Sequence, residues 1–135
     1  MATINVVDVS YHQGTINWEK VKAAGYHAII RCGYGDDLTS QDDTQWKRNA
    51  NECTRLGIPF GVYIYSYAKT TAQAESEARH VLRLVKGYKL SYPVFYDLEE
   101  PGTQTGAVDR MKKFAALIEA AGYKCGAYCN CLLYT

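Results

Sequence analysis

Apolar residues follow two alternating rhythms along this chain. Short runs rich in Val, Ile and Tyr at 4–9, 27–32, 60–66, 93–99 and 124–128 read as five strands. Between them the apolar positions switch to helical spacing. Asn17 is placed to cap a first helix bearing Trp18 and Val21, and a second helix spans about 43–56. A third begins near Thr70, where Thr70 and Gln73 have capping-box spacing, and shows one apolar stripe of Ala74, Ala78, Val81, Leu82 and Val85. A fourth covers about 107–121, with Met111, Phe114, Ala115 and Ile118 on one face. Gly25, Gly57, Gly87 and Gly122 each follow a helix, where glycine can take the left-handed conformation that ends it.

Four βα units and a fifth strand make an α/β chain, with parallel strands joined by right-handed crossovers. Such sheets place ligands at the carboxyl ends of their strands. There the sequence delivers Asp8, then Arg31 and Tyr34, then Tyr65 and Tyr67, then Asp97 and Glu99, then Tyr128. Asp97 and Glu99 are two apart, so they share a strand face with Phe95, their Cα atoms about 6.5–7 Å apart. Asp8 approaches from another strand at a similar level. Three converging carboxyls cannot all ionise freely, so one pKa is expected well above its solution value. A protonated acid beside an ionised one suits protonation of a glycosidic oxygen and support of an oxocarbenium-like centre. Tyr11, Tyr34, Tyr65, Tyr67 and Tyr128 all fall at or just after strand ends, as expected of rings that stack on sugars. An Asp-x-Glu pair alone is more often a metal ligand pair, a salt-bridge partner or solvated, and tyrosines also fill barrel cores.

Composition narrows the classes. With 135 residues, 47% of them apolar, and a formal net charge of +1, the chain suits one globular domain rather than a disordered segment or a nucleic-acid binder. No apolar run approaches the roughly 20 residues of a membrane span. Cys32, Cys53, Cys125, Cys129 and Cys131 show no CxxC spacing, so reduced, mostly buried thiols are expected rather than zinc. Gly33-Tyr34-Gly35 lacks the spacing of a dinucleotide fingerprint, no glycine-rich phosphate loop accompanies the acids, and no serine sits in a glycine-flanked elbow. His12, His27 and His80 suggest no nucleophilic triad. No cofactor and no metal are expected. The N-terminus has neither a basic region nor a long apolar one, so no signal peptide is expected and synthesis is placed in the cytoplasm.

The ordered motifs carry a family likeness. Val7-Asp8-Val9-Ser10-x-x-Gln13-Gly14, Ile30-Arg31-Cys32-Gly33-Tyr34-Gly35, Gly61-Val62-Tyr63-Ile64-Tyr65-Ser66-Tyr67-Ala68, Tyr92-Pro93-Val94-Phe95-Tyr96-Asp97-Leu98-Glu99 and Gly126-Ala127-Tyr128 together resemble glycoside hydrolase family 25, the Chalaropsis-type lysozymes and phage endolysin muramidases. The resemblance implies a (β/α)8-type, TIM-like barrel and hydrolysis of the β-1,4 bond between N-acetylmuramic acid and N-acetylglucosamine in bacterial peptidoglycan. It implies Glu99 as general acid, Asp97 orienting or stabilising the 2-acetamido group, and Asp8 supporting the charge balance. Tyr65, Tyr128, Tyr34, Gln13 and Arg31 become the substrate-contact candidates. The family barrel needs about eight strands, whereas about five βα strands are readable here, so residues 1–135 are expected to form one catalytic domain incomplete at its C-terminal end. Edge strands one and five would then be unpaired. That leaves two other readings: a glycan-binding module that shares strands with a second copy, and a related N-acetylglucosaminidase or chitinase-type glycosidase.

Overall fold

In the computed structural model residues 3–129 are described; Asn130 and Cys131, the last positions drawn into the reading of the fifth strand's end and the cysteine cluster, lie outside them. The order is β1 (Asn5–Val9), α1 (Trp18–Ala23), β2 (Tyr26–Tyr34), α2 (Trp46–Leu56), β3 (Phe60–Tyr65), α3 (Thr71–Val85), β4 (Val94–Leu98), α4 (Ala107–Ala120) and β5 (Cys125–Cys129). All neighbouring strands pair in parallel, in the order β1-β2-β3-β4-β5. The sheet and its helices form a half-barrel, the architecture of part of a (β/α)8 barrel.

Helix ends follow the local chemistry. The Asn17 side chain accepts the Lys20 amide at 3.2 Å, and Thr70 Oγ1 accepts the Gln73 amide at 3.1 Å. Gln73 returns its carbonyl oxygen to Lys69 N rather than to the capping residue, so the box is displaced by one residue. α2 begins at Trp46, three residues later than its apolar pattern suggests. The reason is Asp43, whose carboxylate accepts the Gln45 amide at 2.8 Å and so holds an Asx-type turn ahead of the helix. Gly57 closes α2 at φ +70°, a conformation costly for other residues.

The core lies between the sheet and the helices. Ala28, Ile30, Val62, Ile64, Val94 and Tyr96 are fully buried on that face, against Ala50 and Cys53 of α2, Ala74, Ala78 and Val81 of α3, and Phe114 and Ile118 of α4. Tyr96 stacks on Phe114 with ring centroids 3.9 Å apart. Each large apolar side chain removed from water there contributes about 1.5–3 kcal/mol. A polar knot crosses this layer. Glu77 of α3, 1% exposed, accepts from Ser66 Oγ at 2.7 Å, from the Tyr96 hydroxyl at 2.5 Å and from Tyr67 N at 2.9 Å. It fixes the end of β3 to both α3 and β4, and burial raises its carboxyl pKa.

The flanks of the sheet differ from its centre. Among the described residues β1 and β5 pair on one side only, and Ile4, Val6 and Tyr128 are exposed. Of the four described cysteines, Cys32 and Cys53 are buried and Cys129 is exposed; none is in a disulfide. Burial pushes the Cys53 thiol up to about 12, leaving it protonated.

Candidate active site

Strand register assembles the site in tiers. Parallel partners point to the same face of the sheet. Asp8 pairs with Ile29, and Arg31 with Tyr63, which pairs in turn with Phe95 and then Gly126. One tier higher, Tyr34 pairs with Tyr65, Tyr65 with Asp97, and Asp97 with Tyr128. β2 reaches the upper tier by a bulge: the register slips between Arg31 and Gly33, so Gly33 pairs with core-facing Ile64 and Tyr34 with cleft-facing Tyr65. Gly126 makes room for the cleft floor, since a Cβ there would meet the Phe95 ring at 2.9 Å.

These tiers line a cleft of about 580 Å³ at the carboxyl ends of the strands. Asp8, Asp97, Glu99, Arg31, Tyr65 and Tyr128 all border it. Tyr34 and Gln13 do not. Tyr34 borders two flanking depressions and touches Arg31, whose guanidinium carbon lies 5.5 Å from its ring centroid. Gln13 accepts the Ser10 amide at 2.6 Å in a capping box around the 3-10 turn Tyr11–Gln13. Tyr67, expected among the strand-end rings, also lines the cleft, and Ser10, His12, Ile29 and Tyr63 join the lining without a sequence expectation. Tyr63 was findable, because it shares Tyr65's parity on β3. Ser10 and His12 belong to a turn whose path no periodicity dictates.

The carboxyls act on one another. Burial pushes Asp97 up to about 8, reinforced by a hydrogen bond with Glu99 and by the charges of Glu99 and Asp8, while Arg31 pulls it down. One Asp97 oxygen, Oδ1, is buried without a hydrogen-bond partner. Burial also raises Asp8, which a hydrogen bond from Tyr63 partly offsets and the charge of Glu99 enhances. The upward shift expected within the trio therefore falls most strongly on Asp97. Tyr65 hydrogen-bonds Glu100 at 2.7 Å, and burial with that bond raises its phenol. With Asp97 pushed toward its protonated form beside Glu99 and aromatic walls, the arrangement suits proton transfer to a bound ligand's oxygen. Among the described residues no group of three or more His, Cys, Asp or Glu is placed to hold a metal ion.

A parallel half-barrel with its acids and tyrosines gathered at the carboxyl rim has the layout of part of a (β/α)8 barrel with its ligand-binding end. The profile of glycosyl hydrolases family 25 matches residues 7–135, and the chain belongs to that family. It is similar to the modular autolysin LytC from Streptococcus pneumoniae, at 33% identity and a TM-score of 0.84, over 96% of this chain and 33% of that one. LytC in complex with a synthetic peptidoglycan ligand matches at 32% identity and a TM-score of 0.83, over 96% and 33% of the two chains. The catalytic domain of endolysin ply40 from bacteriophage P40 of Listeria monocytogenes shares the fold, with 24% identity and a TM-score of 0.85, over 98% of this chain and 66% of that one. The chain thus spans about a third of the autolysin's length and about two thirds of the endolysin domain's. Comparison with curated proteins gives no match.

Proposed function

We propose that this chain carries the catalytic face of a peptidoglycan muramidase, hydrolysing the β-1,4 bond between N-acetylmuramic acid and N-acetylglucosamine in the bacterial cell wall. The observation that carries this reading is the hydrogen-bonded Asp97–Glu99 acid pair at the rim of a tyrosine-lined cleft, with Asp97 pushed up to about 8. Glu99 delivers the pair's proton to the leaving glycosidic oxygen. Asp97, left as a carboxylate, then faces the positive charge growing at the anomeric carbon or the 2-acetamido group, with Asp8 adding to the field. Tyr65 and Tyr128 flank the sugar rings. Family membership and the likeness to an autolysin solved with a peptidoglycan ligand support the substrate class.

The test is release of reducing ends from purified peptidoglycan, by the chain alone and by the chain joined to the C-terminal third of a family-25 barrel. Activity in either form that Glu99→Gln lowers by about 10²–10⁴-fold is expected. Inactivity of both folded forms would sink the reading.

A second reading rests on the open edges of β1 and β5: a glycan-binding module that borrows strands from another copy. Sedimentation separates the two, because a stable monomer that cleaves peptidoglycan leaves no room for borrowed strands.

A further inference from the structure

Arg31 enters the cleft with most of its hydrogen-bonding capacity unused. Its Nε donates to Asp43 Oδ2 at 2.9 Å, and the two side chains are 11% and 0% exposed. Asp43 takes two further bonds. Tyr11 N donates to the same oxygen at 3.0 Å and Gln45 N to Oδ1 at 2.8 Å. The four Nη hydrogens of Arg31 meet no acceptor among the described residues, although the guanidinium is held firmly. Its central carbon lies 4.9 Å from the Tyr11 ring centroid and 5.5 Å from that of Tyr34. An arginine tied by Nε, braced by two rings and free at both Nη atoms presents a planar fork, the shape that takes a carboxylate through two parallel hydrogen bonds.

The surroundings give the fork a task. Arg31 is the one permanent cation among the described residues lining the cleft, which also carries Asp8, Asp97 and Glu99. For an anionic group on a ligand, Arg31 is the fixed positive charge in a cleft whose carboxyl groups would otherwise disfavour it. Arg31 also borders the adjoining depression of about 400 Å³, together with Tyr11 and Tyr34, so it stands where the main cleft opens sideways. That position suits a substituent branching from a sugar rather than a ring in line with the chain.

Building on the muramidase reading above, we infer that Arg31 is a carboxylate-recognition residue that makes the cleft prefer acid-substituted glycans to neutral ones, with Asp43 as its positioning residue. In peptidoglycan the carboxylate has two sources, the free lactyl group of a stem-free muramic residue or the acid groups of its peptide stem. Both offer the same bidentate acceptor.

Calorimetry on the folded chain tests this with four tetrasaccharides: chitotetraose, and alternating N-acetylglucosamine–N-acetylmuramic acid with the lactyl groups free, as neutral methylamides, or amide-linked to alanine with a free carboxyl terminus. One of the two acidic forms is expected to bind about tenfold tighter than the methylamide, in keeping with a charge-assisted hydrogen bond, and which one does so identifies the source. Arg31→Lys keeps the charge but not the fork, and is expected to cut that preference at least about fivefold. Asp43→Asn, which loosens the fork without removing it, is expected to lower the preference by about twofold to fivefold. Equal affinity for acidic and neutral forms overturns the inference while leaving glycan recognition standing. Full preference in the Arg31→Lys protein overturns it as well, and an unchanged preference in Asp43→Asn removes the positioning role. Failure of all four ligands to bind overturns the muramidase reading and the inference together.

Discussion

Tyr65 donates its phenolic hydrogen to Glu100 at 2.7 Å, tying the end of β3 to the first turn beyond β4. The bond joins the register partner of Asp97 to the residue that follows Glu99. It therefore steadies the segment that carries Glu99. Tyr65→Phe keeps the aromatic face and loses the tie. Turnover on peptidoglycan is expected to fall about fivefold to tenfold with KM nearly unchanged, because positioning rather than stacking is lost. Steady-state kinetics of the two proteins measure the split.

Asp97 also controls how stability responds to pH. Its folded-state pKa is raised from 3.8 to about 8, so in that interval the native state binds more protons than the unfolded chain. Stability linked to this group is then full below about pH 4 and declines as pH climbs toward 8. Asp97→Asn removes the titration. Thermal melts from pH 5 to 9 are expected to show the wild type losing several degrees relative to the variant, with the gap widest at the alkaline end.

The Glu77 knot makes a separate prediction. Glu77→Ala removes the shared acceptor of the Ser66 and Tyr96 hydroxyls and the Tyr67 amide in a buried layer, leaving the two hydroxyls only each other as acceptors. A loss of about 2–4 kcal/mol in urea denaturation is expected. Glu77→Gln can still accept from two of the three donors and is expected to cost about half as much.

Gly126→Ala tests the cleft floor. The added methyl overlaps the Phe95 ring edge at 2.9 Å, and the ring's nearest outlet is the cleft. Oligosaccharide affinity is expected to drop about threefold to tenfold, with a stability cost near 1 kcal/mol. Titration calorimetry beside a thermal melt separates the two effects.

Much of this was legible in the sequence because the strands are short, apolar and evenly punctuated. Every predicted strand and helix is present, and the parity of Asp97, Glu99 and Phe95 on β4 put the acids on the cleft face. What escaped notice was tertiary. Asp43 reads as a helix-start residue, and only folding brings it under Arg31, twelve positions earlier. Gln13 reads as a loop amide near the site, yet its carbonyl oxygen closes a capping box. The shift toward protonation could be assigned to the trio from sequence, but its main bearer, Asp97, is chosen by burial, which no spacing encodes.

The slip in β2 gives the last consequence. A strand that alternates strictly would send Tyr34 into the helix layer, where His80 already crowds Gly33. The bulge changes the parity instead, so residues three apart, Arg31 and Tyr34, come to stand on one face. Strand length near position 32 thus works as a rotation setting. Straightening the strand with its length kept would turn the second aromatic brace away from the arginine it steadies, whereas removing Cys32 would restore strict alternation and leave the brace on its face.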